Sequence, residues 1–560
     1  MRKRSIGIGI VIATLVLGAL VACSMAGTSA YFNRAQVTGN HTLSTWYSFL
    51  WNQTTQSDFN GGNLTNVSTV SSPGNVTLAR VSNCTGWYCP WNYRKKITIN
   101  HNMVAATQTN FSVLISLTTD ADLASSALAN GNDILFTSAD GTTKLDHEIE
   151  NFTVSNGKLI AWVRIPSLSS ATDTAIYMYF NNSGAANQQN AAGVWDTNFK
   201  GVWHLREDPS GTAPQVRDST SNANHGTSGG AMTASDQIAA KINGGLDFDG
   251  SNDYVSTNYV QTGVTAYTIE AWIKTSTTSM QTVIVHDRGS FYNSGPGNSL
   301  TLSIGGTYPG SGYGAAGDVA YGVDSDNIYI GRYSSPMIVN DNNWHHLVGV
   351  WTAPAGTTVA PAQFSIYIDG TPIAMTDVNT QLGPPAPISP LTGLNGTQIA
   401  QHQPWGTYLL GTLDEIRISN SARSATWIST EYRNQNSPST FYTVGAKETL
   451  SSVYVPFGTL ASAVFYTTFS SSRWDLLAWD NDTVSGTNIT FQVRASNTLF
   501  DKNATAPPWV NASWPSPVLT VLPSGSLPAG NYLQWRANLT TTDTAKTPVL
   551  REVRVWYSDP

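Results

Sequence analysis

The chain has 560 residues, too many for one hydrophobic core, and its length predicts roughly three or four domains. Asp, Glu, Lys and Arg make up only 12% of the residues, so the folded surface is expected to be polar but weakly charged. The formal net charge of -7 argues against nucleic acid as a partner.

The N-terminus begins with a basic cluster at residues 2–4, followed by an apolar stretch that extends to about Ala26. This pattern predicts a signal peptide or membrane anchor helix over residues 1–30, and hence an exported protein located outside the cell or on its surface. Three outcomes remain open: cleavage at "TSA" before Tyr31, lipid attachment to Cys23 in "LVAC", or retention as a membrane helix. We expect membrane contact only through this segment.

Residues 31–90 are rich in Asn, Thr, Ser and Gly, and we interpret them as a glycosylated segment that contributes a strand or two. The start of this segment, "AYFNRAQVTGNHTLSTW", resembles the mature N-termini of exported TasA-like and camelysin-like fibre proteins. Near its end, "NCTGWYC" holds the close pair Cys84 and Cys89, which in an exported chain predicts a small disulfide loop.

Residues 91–195 show strands alternating with turns and no helical period, which predicts an all-β domain. The Asp-Gly pair in "SADGTT" is typical of a hairpin turn. The region resembles an extracellular β-domain family of unknown function, common in archaeal and bacterial surface proteins, and this family implies no activity. The resemblance is carried by "WNYRKKITI", "DILFTSADGTTKLDHEIE", "AWVRIPSL" and "IYMYFNN".

Residues 200–445 contain short alternating strands between Gly, Asn and Asp turns, which predicts a large antiparallel sandwich or jelly roll. The order of its segments resembles the laminin G-like, concanavalin A-like domain of secreted proteins. The segments are "GVWHL", "VRDSTSNANHGTSGG", "GGLDFDGSNDYVS", "YTIEAWIKT", "NNWHHLVGVW", "FSIYIDGTPI" and "GTLDEIRISNSAR".

Residues 451–560 predict a further β-sandwich, similar to the repeats that end many prokaryotic surface proteins. Its aromatic residues alternate with polar ones, as expected for strands with one buried face. The whole chain is therefore expected to be all-β, with tandem antiparallel sandwich domains after the N-terminal helix.

The adjacent pair His345-His346 lies in a predicted strand that begins near Trp344. Neighbouring strand side chains point to opposite faces, so the two rings are not expected to bind one ion. We interpret both histidines as structural.

Calcium is the cofactor that the central sandwich could use. In laminin G-like and related lectin sandwiches, an ion at the rim is often held by acids and carbonyls in loops such as "RDSTSNANHG" and "GTLDEIR". The resemblance implies Asp218 and Asp414, with Asn222 as a further ligand. The alternative is that Asp218 and Asn222 form Asx turns and that Asp414 is an ordinary strand residue. Glu415 is expected to face the opposite side of its strand from Asp414.

Sugar binding is suggested by loop aromatics, because Tyr and Trp rings stack on the apolar face of a pyranose. The loops "FYNSGPGNS" and "GGTYPGSGYG" offer Tyr292, Tyr308 and Tyr313 as ligand-binding residues. Most of the tryptophans fit regular strand patterns and are expected in cores.

Fifteen N-x-S/T sequons occur, which in an exported chain are candidate glycosylation sites, although an Asn- and Thr-rich chain also produces sequons by chance. Of these, Asn395 alone lies between residues 200 and 445, so glycosylation at the sequons would leave that region almost free of glycans. The sequons are at Asn40, Asn52, Asn63, Asn66, Asn75, Asn83, Asn110, Asn151, Asn181, Asn395, Asn481, Asn488, Asn503, Asn511 and Asn538.

An enzyme is not expected. The sequence lacks the E-x-D-x-x-E pattern of glycoside hydrolases with this type of fold, and it also lacks the nucleophile elbow, the phosphate loop and the dinucleotide fingerprint.

We expect a non-enzymatic surface glycoprotein and adhesion protein whose laminin G-like domain binds carbohydrate or another surface protein. The alternative is a structural subunit of an extracellular filament or surface layer, in which Thr42 to Phe49 adds as a strand to a neighbouring copy.

Overall fold

A computed structural model describes residues 28–37, 43–70, 74–260, 265–286, 299–305, 314–325, 328–334, 338–353, 359–379, 396–402, 406–467, 473–512 and 530–558. The chain forms two compact units: Met1–Asn83 together with Ser451–Pro560, called the terminal unit, and Cys84–Leu450, called the central unit. Antiparallel sheets build both, so the all-β prediction is confirmed. The helix predicted at the N-terminus falls on residues outside the described ranges.

The terminal unit begins with short strands and one helical turn. These are Thr28–Val37 (β1), Leu43–Gln53 (β2), Gln56–Asn60 (α1), Asn63–Thr65 (β3), Val67–Ser68 (β4), Thr77–Leu78 (β5) and Arg80–Ser82 (β6).

The first part of the central unit is the small sandwich. Its elements are Tyr93–Ile99 (β7), Gln108–Leu117 (β8), Ala121–Ser126 (α2), Leu135–Ser138 (β9), Lys144–Leu145 (β10), His147–Thr153 (β11), Lys158–Leu168 (β12), Thr174–Phe180 (β13) and Ala191–Val194 (α3). A 3-10 turn covers His101–Met103.

The large sandwich follows. Its elements are Phe199–Trp203 (β14), Gly226–Gly229 (β15), Gln237–Ala239 (β16), Gly244–Asp249 (β17), Tyr254–Thr257 (β18), Ala266–Lys274 (β19), Gln281–His286 (β20), Ser299–Ile304 (β21), Val319–Ser325 (β22), Ile328–Ser334 (β23), Trp344–Thr352 (β24), Phe364–Ile368 (β25), Thr371–Pro372 (β26), Met375–Asn379 (β27), Thr397–Ile399 (β28), Gln401–His402 (β29), Thr407–Tyr408 (β30), Leu410–Ser419 (β31), Ala425–Asn436 (α4) and Pro438–Phe441 (α5). Two 3-10 turns cover Ala234–Asp236 and Pro361–Gln363.

After Tyr442–Thr449 (β32), the chain returns to the terminal unit. The remaining strands are Ser452–Tyr454 (β33), Phe457–Ala461 (β34), Phe465–Tyr466 (β35), Arg473–Asp482 (β36), Thr487–Ser496 (β37), Val510–Ala512 (β38), Tyr532–Thr541 (β39) and Val549–Ser558 (β40).

In the residues that the structure describes, the large sandwich has two eight-stranded sheets with a hydrophobic core between them. The front sheet has the order β16-β17-β31-β19-β24-β25-β26, with β14 also paired to β31. Strand β17 shows how the sequence builds it: Leu246 and Phe248 are buried in the core, while Asp247 and Asp249 on the other face are exposed. This alternation is the pattern of a strand with one wet face.

The small sandwich packs a five-stranded sheet, β10-β9-β13-β7-β32, and a three-stranded sheet, β11-β12-β8, around a second core. Its edge strand β32 follows the large sandwich in sequence and pairs with β7, with Tyr442 opposite Ile99. The structure therefore joins the predicted regions 91–195 and 200–445 into one unit, because the chain that leaves the large sandwich completes the sheet of the small one.

The terminal unit also unites distant segments. Strand β2 lies inside the sheet β1-β2-β40-β36, hydrogen-bonded to β1 on one side and to β40 on the other. The six-stranded sheet contains β3-β34-β39-β37-β38, with β35 paired to β39. The region predicted as a separate segment, residues 31–90, thus divides between the two units at Asn83. The strand-exchange segment Thr42 to Phe49 falls largely on β2, with Thr42 outside the described residues, so donating it would require β2 to leave its own sheet.

The histidine pair lies in β24, where the two rings have different neighbours. His346 is buried, with its ring centroid 5.2 Å from that of Trp272. His345 contacts Asp369 at 2.9 Å and Asp341 at 3.1 Å. Among the residues that the structure describes, no helix combines the length and the apolar character needed to cross a membrane.

The division into units predicts which fragments fold. Phe59, Val76 and Leu78 are fully buried in the same core as Trp535 and Val553. Each such side chain contributes about 1.5–3 kcal/mol, a large share of the roughly 5–15 kcal/mol that stabilises a domain. We therefore expect residues 451–560 alone to show no cooperative thermal unfolding by circular dichroism, and a fusion of residues 28–83 to restore it. Residues 84–450 should unfold cooperatively alone. A cooperative transition for 451–560 without the N-terminal segment would contradict this.

Candidate functional site

The first candidate site is an open groove at one end of the front sheet, on its outer face. Four residues lie in a row across four neighbouring strands: Asp247 is opposite Thr412, Thr412 is opposite Lys274, and Lys274 is opposite Trp344. Residues directly opposite each other in antiparallel strands share one face. The row therefore places a carboxylate, a hydroxyl, an ammonium and an indole side by side.

These side chains line a cavity of about 370 Å³. Asp249 and Asn342 add polar groups at its edge, and Leu410 contributes apolar surface. The volume lies in the range that small-molecule sites occupy. The groove is therefore large enough for a sugar unit and carries both a ring to stack on it and groups to hydrogen-bond its hydroxyls.

Hydrogen bonds inside the groove hold its acids in place. The Thr412 hydroxyl donates to the Asp247 carboxylate at 3.0 Å, and the backbone N–H of Ser251 donates to Asp249 at 2.7 Å. Partial burial raises the pKa of the Asp249 carboxyl, but backbone hydrogen bonds outweigh this and hold the pKa below its usual value. Asp249 is thus an ionised hydrogen-bond acceptor at neutral pH.

The second candidate site is a buried charge cluster on the same outer face of the front sheet, where α4 and the small sandwich cover it. Each of its eight members is at most 7% exposed. Strand β11 supplies two carboxylates, β31 supplies three charged residues, and the rest come from β19, α4 and the residue after β14. The members are Glu148, Glu150, His204, Glu270, Asp414, Glu415, Arg417 and Glu431.

His204 is at the centre of the cluster because β14 runs between the two cores. Val202 belongs to the core of the small sandwich and Trp203 to that of the large one, so the next side chain, His204, faces the small sandwich. Its Nδ1 atom is 2.6 Å from Oε1 of Glu415 and 3.8 Å from Oε2 of Glu150. Its Nε2 atom is 3.6 Å from Oε2 of Glu148.

A β-bulge brings Glu415 to the same side of β31 as Asp414, contrary to the alternation expected from the sequence. Glu270 pairs with Arg417 and Trp272 with Asp414, so β31 has one extra residue there. Glu415 takes up this residue with a φ of 52°. Its Oε2 atom accepts a hydrogen bond from Arg417 at 2.7 Å.

Arg417 is held by aromatic rings as well as by acids. Its guanidinium lies 4.5 Å from the ring centre of Trp162 and 4.9 Å from that of Trp195, both in the small sandwich. It also forms an ion pair with Glu431 of α4. Arg417 of the large sandwich therefore contacts the small sandwich and α4 at once.

The pKa values of several groups in the cluster are shifted. Burial raises the pKa of the Glu150 carboxyl to about 7 and raises that of Glu270 and Asp414 well above the usual value. Burial alone would lower the pKa of the His204 imidazole, but Glu415 and the other carboxylates outweigh it and raise the pKa well above normal. His204 is thus a cation in this arrangement.

The predicted calcium ligands are not brought together in one site. Asp218 accepts four hydrogen bonds: from the N–H groups of Val202, Thr220 and Asn224 and from the Thr220 hydroxyl, at 2.8–3.0 Å. Four donors fill the lone-pair positions of a carboxylate. These contacts are those of an Asx turn, so calcium binding there would require Asp218 to release its donors.

The other two predicted ligands bond to different segments. Asn222 donates its side-chain amide to the Phe199 carbonyl at 2.9 Å. Asp414 is fully buried, accepts a hydrogen bond from Ile242 N–H at 2.7 Å, and belongs to the charge cluster. Calcium binding by the three residues remains a prediction.

Three further sequence predictions concern ligands and covalent modification. Tyr292, Tyr308 and Tyr313 fall outside the described residues. Cys84 and Cys89 form a disulfide. Of the fifteen sequon asparagines, Asn40 and Asn395 also fall outside the described residues, and none of the others is buried.

The sequence reasoning missed both candidate sites. The segment "HEIE" at residues 147–150 was assigned to a different domain from "LDEIR", and the groove residues were not singled out. The detectable signal was local: a histidine or acid at an inward position of an otherwise apolar strand pattern, as in "GVWHL", "HEIE" and "LDEIR". A buried charge requires a partner, so such positions indicate a buried contact, although not which segments meet.

Two family models match the chain. Residues 249–429 match the concanavalin A-like lectin/glucanases superfamily, and residues 130–207 match DUF2341, a domain of unknown function. Both family resemblances found in the sequence are confirmed. The DUF2341 match extends to residue 207 and so includes His204 with Glu150, while Glu415 lies in the other match. The buried charge cluster therefore connects the two matched segments. No curated protein matches the chain.

Several solved structures are similar at low identity. Domain 4 of AbnA, a GH43 extracellular arabinanase from Geobacillus stearothermophilus, in complex with arabinotriose, is 15% identical with a TM-score of 0.28, over 42% of this chain and 98% of that chain. The botulinum neurotoxin serotype D binding domain is 12% identical with a TM-score of 0.28, over 44% and 53%. A SAP-like pentraxin from Limulus polyphemus is 17% identical with a TM-score of 0.23, over 33% and 78%. This chain spans about half of the neurotoxin chain.

The buried histidine next to the cluster predicts a pH dependence. Burial lowers the pKa of His147 from 6.5 to about 4, against the smaller raising effect of its hydrogen bonds to the Leu145 and Ile134 carbonyls. Between about pH 6.5 and pH 4, His147 binds a proton in the unfolded chain but not in the folded chain. The free energy of unfolding therefore falls as the pH falls through this range. At pH 5 we expect His147 alone to contribute a loss of about 2 kcal/mol relative to pH 7.

The check is urea unfolding of the central unit at pH 7 and pH 5, with His147→Gln beside the unmodified protein. The variant should lose about 2 kcal/mol less between the two pH values, whatever its stability at pH 7. Between pH 7 and 8 the two proteins should respond to pH alike, since His147 is neutral in both states there. An equal drop in both proteins between pH 7 and 5 would contradict the assignment.

Proposed function

We propose that this chain, in which a concanavalin A-like match follows a DUF2341 match, is an exported, non-enzymatic cell-surface glycoprotein that binds carbohydrate through the groove on its front sheet. The observation that carries the proposal is the row Asp247, Thr412, Lys274 and Trp344 along an open cavity of about 370 Å³. The partner class is a glycan, free or on a surface glycoprotein.

The order of the row suits recognition of a sugar. Trp344 is half-buried and can stack on the apolar face of a pyranose. Thr412 is two strands away from it and Asp247 is three, at spacings of about 10 and 14 Å, since neighbouring strands are about 4.8 Å apart. A ring on Trp344 would therefore extend its hydroxyls over Lys274 towards the carboxylate and hydroxyl.

The groove is a poor fit to sugar cleavage. Glycoside hydrolysis requires one carboxyl with a raised pKa to protonate the leaving group. In the groove, Asp249 has a lowered pKa and is fixed by turn hydrogen bonds. The carboxyls with strongly raised pKa values, Glu270 and Asp414, are buried where no substrate reaches them. This separation supports binding without catalysis.

Export is supported by features distributed along the chain. The N-terminal pattern is that of a signal or anchor segment. The Cys84–Cys89 disulfide suits an oxidising compartment, and the described sequon asparagines are accessible. Most sequons lie outside residues 200–445, which leaves the large sandwich open to a ligand.

The proposal predicts that glycan binding depends on two groove residues. We expect the full chain to bind a subset of glycans on an array, and Trp344→Ala and Asp247→Asn each to weaken that binding at least about tenfold, the effect of losing about 1.4 kcal/mol. Matched controls are Tyr466→Ala, an exposed aromatic in the terminal unit, and Asp208→Asn, an exposed acid outside the groove. Neither control should change binding.

The array is run with calcium and with chelator, because Asp218, Asn222 and Asp414 remain predicted calcium ligands. Binding lost in chelator and in Asp218→Asn would add calcium to the proposal. Silence of the array under both conditions, or binding that survives both groove substitutions, would contradict the groove as the site.

A further inference from the structure

We propose that Glu150, His204 and Glu415 form a divalent metal site of the zinc class, buried where the small and large sandwiches meet and independent of glycan binding. One ligand comes from β11 of the small sandwich, one from the residue after β14, and one from β31 of the large sandwich. The ion would thus connect segments that are far apart in sequence.

The ligand atoms are close to the geometry that such an ion needs. One atom from each of the three side chains lies within 4.8 Å of the others. From His204 Nδ1, the distances to the two carboxylates are 2.6 Å to Glu415 and 3.8 Å to Glu150. Ligands about 2.0–2.2 Å from a tetrahedral zinc ion are about 3.3 Å apart. The distances between the ligand atoms must therefore change by up to about 1.5 Å for all three to bind one ion.

Each ligand also has an outer partner that orients it, as is usual around a metal. The far nitrogen of His204, Nε2, faces Glu148 at 3.6 Å, which is the arrangement of a carboxylate, a histidine and a metal in line. The Trp162 indole N–H donates to Glu150 at 3.2 Å, and Arg417 donates to Glu415 at 2.7 Å. Nδ1 of His204 faces Oε1 of Glu415 and is 3.8 Å from Oε2 of Glu150, the oxygen that accepts the Trp162 hydrogen bond.

Unpartnered oxygens supply a second, independent indication. Glu150 is 2% exposed, and its Oε1 atom has no hydrogen-bond partner among the described residues. The same holds for Oδ1 of Asp414, which is fully buried next to Glu415 in sequence. A buried carboxylate oxygen without a partner is costly, and a cation is one group that satisfies it.

Charge counting leads to the same conclusion. Six carboxyl groups of the cluster are buried: Glu148, Glu150, Glu270, Asp414, Glu415 and Glu431. Within the described residues, the Lys, Arg and His side chains with a nitrogen within 4 Å of any of them are His204, His346 and Arg417. Burial lowers the pKa of His346 to about 4, so it is neutral at pH 7. Six carboxyl groups thus share two cationic side chains, so without a metal ion several of them must stay protonated, and a divalent ion would allow more of them to ionise.

The ligand set selects the kind of ion. An imidazole with two carboxylates is suited to zinc and related transition metals, whereas calcium takes six to eight oxygen ligands and no imidazole. Three protein ligands fill three of the four tetrahedral positions, which leaves the fourth for a water molecule. Because the site is closed, the ion would be structural and would bind together with folding.

The test is to measure the metal content of the full chain, purified without chelator, by elemental mass spectrometry. We expect about one zinc ion per chain, retained through gel filtration and released on unfolding. Refolding without metal should lower the melting temperature, and added zinc should restore it in proportion to RT ln(1 + [L]/Kd). Less than about a tenth of an equivalent of any transition metal, with no response to zinc or manganese, would overturn the proposal. So would a melting temperature that rises with calcium alone.

Two variants, Glu150→Gln and His204→Gln, each remove one ligand while keeping side-chain size. Both should lose the bound zinc and the response of the melting temperature to zinc. The matched control is Glu448→Gln, a partly exposed acid paired with Arg94 in the same unit, which should keep a full equivalent. Variants that retain zinc like the control would overturn the ligand assignment.

If a ligand variant fails to fold, X-ray absorption of the unmodified zinc-loaded chain decides. We expect nitrogen and oxygen ligands at about 2.0–2.2 Å with the scattering signature of one imidazole. Sulfur ligation, or a shell without imidazole, would overturn the site. Because none of these measurements involves a glycan, failure of the metal site and failure of the groove would be distinguished.

Discussion

The contact between His204 and Glu415 is the interaction on which the central unit depends. It is buried, and its two residues are 211 positions apart in the chain. His204 follows a strand that contributes Val202 to one core and Trp203 to the other, so the contact lies at the boundary of both sandwiches. His204 also faces Glu148 and Glu150 of β11, and Glu415 also pairs with Arg417, so removing either partner would break a buried charge network, which typically costs about 3–5 kcal/mol. The two carboxylates of β11 hold the small sandwich to the front sheet at this point.

The outer face of the front sheet serves two different purposes along its length. In the row of Lys274 and Thr412 it is open and forms the groove. Further along β19, at Trp272 and then at Glu270, α4 and the small sandwich cover this outer face. Both parts carry acids, but water reaches only the first. The same strand pattern therefore yields ionised, hydrogen-bonded acids in the groove and carboxyls with raised pKa values in the cluster.

The degree to which sequence reasoning succeeded depends on the distance between the residues involved. The Cys84–Cys89 disulfide, the alternation at Asp247 and Asp249, and the order of the concanavalin A-like segments are local features, and they were readable. The side of the strand on which Glu415 lies was not, because a bulge adds one residue and breaks the alternation. Nor could "HEIE" be placed beside His204, since no local period records which strand faces which.

By itself, the sequence determined that the protein is all-β, where its strands and turns alternate, and which two families its middle resembles. Those properties depend on neighbours a few residues apart, through the period of two and the conformations that turns require. The tertiary structure alone decided that β2 is an inner strand beside β40, that β32 completes the sheet of the small sandwich, and which acids are buried together. Hydrogen bonding between strands does not depend on their separation in the chain, so these pairings exist only once the whole chain has folded.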